Sequence, residues 1–369
     1  MAALLRSRVT DWTVVVPVLA VLVLIVTWGR DLPGPIIVVV AVLLGGAVLA
    51  AVHHAEVVAH RVGEPYGSLV LAVAVTVIEV ALIVTLMISG PEKTQSLARD
   101  TVFAAVMITC NGILGLSLLL GALRRRVAVF NPEGTGGALA TVITLATLSL
   151  VIPTFTTARP GPEFSPAQLT FAAVASLALY GLFVLVQTGR HRDYFLPVDS
   201  QGRVIDAEEH AKPPTTKAAL VSLGLLLVAL VAVVGDAKTV SPTIEDGVAA
   251  ANLPHAFVGV IIALLVLLPE TLAAARAARR DRVQISLNLA LGSAMASIGL
   301  TIPAIAIASI WLDGPLLLGL GGTQLALLAL TAVTAVTAVL TVVPGRANVL
   351  QGGVHLVLLA AFVFLAASP

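Results

Sequence analysis

Apolar runs of helix length, parted by short joints rich in glycine and proline, recur along the whole of this 369-residue chain. A run of about 20 such residues is what a helix needs to cross the hydrocarbon core of a bilayer. Inside lipid every backbone N–H and C=O must be satisfied within the segment, so runs of this length and spacing leave little choice but helices. Eleven spans are predicted, at 11–29, 34–56, 66–89, 100–123, 136–154, 166–189, 217–235, 252–275, 283–311, 316–343 and 348–367. Pro33-Gly34-Pro35, Pro91, Pro132-Glu133-Gly134, Pro160-Gly161-Pro162 and Pro344-Gly345 mark joints between them. Charged residues make up only 11% of the chain, against about 25% in a soluble domain. The composition therefore specifies an all-α polytopic membrane protein, and the net charge of +1 gives no reason to expect a nucleic-acid partner. Cys110, the single cysteine, excludes an intrachain disulfide and a Cys-rich metal site, and reads as a small buried apolar residue. Arg6 and Arg8 precede the run Val14–Trp28, which is long for a secretory signal and lacks a clear small-residue cleavage site, so it reads as an uncleaved first span.

Lys and Arg set the expected orientation. With the N-terminus in the cytoplasm, sixteen of the 21 basic residues fall on the cytoplasmic side, among them Arg61, Arg124, Arg125, Arg126, Arg276 and Arg279. An odd number of spans then puts the C-terminus outside. The one long polar linker, Arg190 to Lys217, has five spans between it and the first span, and five more after it. An odd number of spans per half turns the second half upside down, the inverted-repeat plan of many secondary transporters. The expected organisation is an N-terminal helix at 1–30, a first five-helix repeat at 31–189, a cytoplasmic linker at 190–216 and a second five-helix repeat at 217–369.

Two carboxylates stand inside this apolar pattern. Glu79 lies within Leu69–Met87, and Glu270 comes directly after Val258–Pro269. Each is in the second span of its half. An ionisable group at membrane depth costs about 2.5–3.5 kcal/mol on insertion scales, so it is rarely there without a job. Inverted halves can bring their second spans together at mid-membrane. Two carboxylates with backbone carbonyls and water form a hard oxygen site, suited to Ca²⁺ and tolerant of Na⁺ or K⁺. Burial and mutual repulsion disfavour a doubly ionised empty pair, so protons and metal compete for the same oxygens. A site that holds one or the other, open to one side at a time, is an antiporter. Pro269 removes a backbone donor beside Glu270 and frees a carbonyl in the preceding turn, and Pro65 and Gly67 open the corresponding span, so a broken-helix geometry is expected at both acids.

Other polar residues in the spans have two readings. Ser286, Ser293 and Ser297 fall near one face of the ninth span, with Asn288 and Gly292 beside them. They serve as glue between helices, or Asn288 and Ser293 line the ion path with Thr109 as first-half counterpart. His53, His54, Glu56 and His60 cluster at the cytoplasmic end of the second span, without the spacing of a His-Glu-x-x-His zinc motif. They read as a polar cap, or His54, Glu56, His60 and Glu64 form a proton relay. The rival function is a polytopic metalloenzyme built on that cluster, but a convincing third ligand and a catalytic base are not evident. His355, in the last span, reads as a hydrogen bond to a neighbouring helix. In the linker, Asp193, Asp199, Asp206, Glu208 and Glu209 meet Arg190, Arg192, Arg203 and Lys212 as a solvated loop.

The stretch His53-His-Ala-Glu-Val-Val-Ala-His-Arg-Val-Gly-Glu-Pro-Tyr-Gly-Ser-Leu69 leading to Ile78-Glu79-Val80, and Pro269-Glu270 with Val283-Gln-Ile-Ser-Leu-Asn288 and Gly292-Ser293, resemble the two acidic repeats of the calcium/cation antiporter superfamily. The segment Arg346–His355 is also similar. The resemblance is to the bacterial ChaA-type sodium, potassium and calcium/proton antiporters, and it runs over most of the chain. It implies one helix plus two inverted five-helix bundles in a bacterial inner membrane. It further implies that Glu79 and Glu270 bind the transported cation and the proton, with no cofactor and no enzymatic activity. The superfamily's Gly-Asn-Ala-x-Glu is replaced here by Val75-Thr-Val-Ile-Glu79 and Val266-Leu-Leu-Pro-Glu270, and Met295 and Ala296 stand where a Gln often follows Gly-Ser-Ala. The absent Asn ligands shift the expectation from Ca²⁺ toward monovalent ions.

Overall fold

A computed structural model describes residues 11–30, 32–63, 66–89, 95–199, 203–204, 213–311, 314–340 and 345–369. Eleven long helices account for nearly all of them. They are α1 (Trp12–Thr27), α2 (Gly34–Val62), α3 (Tyr66–Ser89), α4 (Leu97–Arg125), α5 (Pro132–Phe155), α6 (Pro166–Arg190), α7 (Thr216–Ala250), α8 (Phe257–Arg279), α9 (Val283–Ala308), α10 (Gly322–Leu340) and α11 (Val349–Ala367). Among the described residues, nine are long and apolar enough to cross a membrane, and α1 and α10 are shorter apolar helices.

Local chemistry explains where helices begin. Asn131 accepts hydrogen bonds from the amides of Glu133 and Gly134, and Pro132 takes the first helical position of α5. Ser165 with Gln168, and Asn348 with Gln351, form capping boxes for α6 and α11. The seventh helix departs from its expected range of 217–235. It continues to Ala250, through Asp236, Lys238 and Pro242. One missing N–H at Pro242 does not stop a helix whose flanking turns remain bonded, and Asp236 is packed rather than terminal. Three helices carry π-helical turns, at Ile108–Ile113 in α4, Thr147–Val151 in α5 and Val186–Arg190 in α6.

The chain divides into two compact units, each drawing on both sides of the linker: residues 1–91 with 210–258, and residues 92–209 with 259–369. In the first, α1, α2, α3 and α7 pack together, most extensively α2 on α7. Their shared surface is small and apolar: Leu44, Ala47, Val48, Ala51 and Ala55 from α2 at steps of three and four, and Ala229, Ala232 and Val233 from α7. Without a hydrophobic drive between helices in lipid, such residues stabilise by close van der Waals approach. In the second unit α4 is the most enclosed span. Gly115 and Gly352 let α4 and α11 touch at the backbone: a β-carbon on Gly352 would sit 2.6 Å from the Leu119 amide nitrogen. A two-residue antiparallel ladder, β1 (Ala128–Val129) with β2 (Arg346–Ala347), joins the loop after α4 to the loop before α11.

Candidate functional site

Glu79 sits on the buried face of α3 with Ile78, Leu82 and Ile83, and is 3% exposed. Glu270 sits on α8 directly after the buried Pro269 and is only half-buried. The expected break in these helices does not occur. Both α3 and α8 run as continuous helices through their acids. Proline removes a single donor, leaving the Leu265 carbonyl without its i+4 amide, and in lipid the remaining bonds have no competing water. Thr271, beside Glu270, donates to the Leu267 carbonyl at 2.7 Å. The regular i→i+4 ladder is instead disturbed in α4, at Ile108–Ile113.

Each acid is held within its own unit. The helix of Glu270 is fixed one turn further on. Ser286 of α9 donates to the Ala274 carbonyl at 2.7 Å, and its Oγ lies 2.5 Å from that of Ser117 on α4. All three residues are fully buried. Ser286, on the ninth span's polar face, is thus helix glue. Asn288 lies on the same helix, where it accepts from Gln284 Nε2 at 2.8 Å and donates to the Phe195 carbonyl at 2.7 Å. It ties α9 to the turn after α6. Ser293 is half-buried on α9, and Thr109 is fully buried with its hydroxyl donating to the Ala105 carbonyl of its own helix.

His355 meets its expected role. Its Nδ1 lies 3.1 Å from Asn111 Oδ1, while Asn111 Nδ2 donates to Thr331 Oγ1 at 2.9 Å. This buried polar chain links α11, α4 and α10, and Asn111 stands in the π-helical turn beside Thr109. The sequence signal for Asn111 was present, an amide amid the apolar residues of the fourth span. Two buried carboxylates were also missed in the sequence, Asp100 at the start of α4 and Asp236 on α7.

The histidine cluster does not converge. His54 points inward, 2.9 Å from the Thr13 carbonyl at the start of α1, whereas His53, Glu56 and His60 are exposed. Residues at steps of three and four share a face, and His54 is two from Glu56. Glu64 lies outside the described residues, as do Asp206, Glu208, Glu209 and Lys212. Among the described residues no group of three or more His, Cys, Asp or Glu side chains is placed to hold a metal ion. The metalloenzyme reading therefore loses its site. In the linker, Arg203 pairs with Asp199 at 3.0 Å, an exposed ion pair.

An apolar helical membrane protein with a carboxylate buried in α3 and a second, half-buried, in α8 has the makeup of a polytopic ion-handling protein. The particular family is shown by comparison. The sodium/calcium exchanger protein family model matches residues 32–189 and 221–367, and the chain belongs to that family. It is 46% identical over 370 residues to a Sinorhizobium fredii protein, y4hA, whose name assigns it provisionally to ionic transport, covering 98% of each chain. It is 34% identical over 362 residues to the sodium-potassium/proton antiporter ChaA of Escherichia coli, covering 97% of this chain and 96% of that one. The solved structure of native YfkE superposes with a TM-score of 0.71 at 16% identity, covering 96% of this chain and 98% of that one, so the fold is shared.

Proposed function

We propose that this chain is a secondary active cation/proton antiporter of a bacterial cytoplasmic membrane, with Glu79 and Glu270 taking cation and proton in turn. One observation carries the reading: the exchanger family model covers the chain on both sides of the linker, and each matched stretch holds one of the two acids set in its apolar spans. The two matched stretches support the division into an N-terminal helix and two inverted five-helix repeats. The similarity to ChaA favours Na⁺ and K⁺ as cargo, in keeping with the missing Asn ligands before each acid, and Ca²⁺ remains chemically suited to paired carboxylates. Protons bind the same oxygens, so each cation carried one way displaces protons carried the other, and no enzymatic step is involved. Asn288 and Ser293 line the ion path, with Thr109 as their first-half counterpart. The N-terminus is cytoplasmic and the C-terminus outside. Everted vesicles given Na⁺, K⁺ or Ca²⁺ across a pH series test the function. Cation addition should dissipate a preformed pH gradient, and vesicles that hold their gradient with all three ions would refute it.

A further inference from the structure

The first unit holds a second enclosed carboxylate that the exchange reading does not use. Asp236 lies near the middle of α7, is 0% exposed, and neither of its oxygens has a hydrogen-bond partner among the described residues. The contrast with Asp100 is direct. That acid, 4% exposed at the start of α4, accepts from Arg99 Nε at 2.8 Å, Ser96 Oγ at 2.8 Å and Gln324 Nε2 at 3.4 Å. Asp100 is a structural acid with a full set of partners, and Asp236 is not.

The neighbours of Asp236 can be read from the helix register. Arg61, near the end of α2, donates to Thr216 at the start of α7 at 2.8 Å, so the two helices run antiparallel. Asp236 stands twenty residues further along α7, about 30 Å by helical rise. The facing part of α2 is therefore the apolar stretch around Val40 to Leu44, far from His53, His54, Glu56, His60 and Arg61. On α1, Leu24 packs against Gly235: a β-carbon there would meet Leu24 Cδ2 at 2.3 Å, so only glycine allows this approach. The helix Trp12–Thr27 carries no titratable side chain. From α3, Thr85 and Ile88 join Leu24, Trp28, Gly235 and Lys238 around an open cleft of about 520 Å³. Glu79, the titratable group in the interior of α3, is six residues before Thr85, about 9 Å along the helix. On α7 itself Lys238 is turned away, its Nζ 5.3 Å from the centre of the Trp28 ring, and Glu245 faces His255.

A carboxylate enclosed by apolar helices without a donor or a counter-charge persists as a neutral acid or as the ligand of a cation. We infer that Asp236 is a further ion-coupled carboxylate of this exchanger, which binds a proton, or a small hard cation in its place, at the position next to Gly235, which lines the cleft. The inference rests on the exchange reading for its role and on the packing of α7 for its place. No covalent step is involved: the proton or cation leaves as it arrived.

The test uses the wild-type full chain in vesicles. A membrane-permeant carbodiimide, which adds to protonated carboxyls shielded from water, is applied from about pH 5 to about pH 9, with and without Na⁺, K⁺ or Ca²⁺, and the peptide bearing Asp236 is quantified by mass spectrometry. Labelling that falls about tenfold on raising the pH, or on adding one of the cations, is expected. In parallel, Asp236→Asn should flatten or displace the pH profile of exchange, and Asp236→Glu should restore it. Absent labelling, labelling indifferent to pH and to every cation, or an Asp236→Asn protein with the wild-type pH profile would overturn the inference. Labelling reads Asp236 without transport, whereas failure of the exchange reading would appear as wild-type vesicles that exchange nothing.

Discussion

Glu79 and Glu270 differ in enclosure, the first buried and the second half-buried, although their places in the sequence are alike. A carboxylate that binds cation and proton in turn cannot be replaced by its neutral isostere. Glu79→Gln and Glu270→Gln should each lower exchange by more than about tenfold while the protein still inserts, since even the loss of a residue that only supports a metal ligand costs about 10–100-fold. Exchange rates in vesicles, normalised to inserted protein, check this, and wild-type rates in both variants would remove the assignment. Asn111, by its contacts, is a stability residue. Asn111→Ala leaves the His355 and Thr331 side chains without that partner, and should cost about 1–3 kcal/mol, read as a lower melting temperature in detergent. Both acids were visible in the sequence because a charge in an apolar run is conspicuous. The partners that Asn288, Asn111 and Ser286 meet beyond their own helices were not, because those lie on another helix or in a distant turn.

Continuous helices through both acids change what Pro269 is for. It does not break α8, but it leaves the Leu265 carbonyl without its amide donor, a backbone oxygen one turn before Glu270. Pro269→Ala restores that bond. The variant should melt at a higher temperature, since an interior proline costs a helix about 3 kcal/mol, and exchange should fall if the freed oxygen serves the ion. A higher melting temperature with undiminished exchange would assign Pro269 to shape alone. At the α4–α11 contact, Gly352→Val puts a side chain where the Leu119 backbone lies, and should destabilise by about 1–3 kcal/mol or more. The spans themselves were legible from hydropathy. The extension of α7 to Ala250 was not, because local reading takes Asp236 and Lys238 as the end of an apolar run, and only burial of Asp236 reverses it.

For the whole molecule, the distribution of Lys and Arg favours a cytoplasmic N-terminus, with Arg124, Arg125 and Arg126 on the same side. Reporter fusions after Arg126 and at the C-terminus should read cytoplasmic and external respectively, and the reverse pattern would invert the proposed direction of exchange. The sequence alone determined the number of helices, the approximate limits of all but α7, the membrane class and the two acids, because bilayer thickness and the cost of charge in lipid act on each segment separately. Tertiary structure decided which helices associate: α7, from beyond the linker, packs with α1, α2 and α3, while the rest of its half joins α4, α5 and α6. It also decided that Asp100 is satisfied and Asp236 is not. Those outcomes depend on small residues meeting across helices distant in sequence, and hydropathy, which scores one helix at a time, carries no record of them.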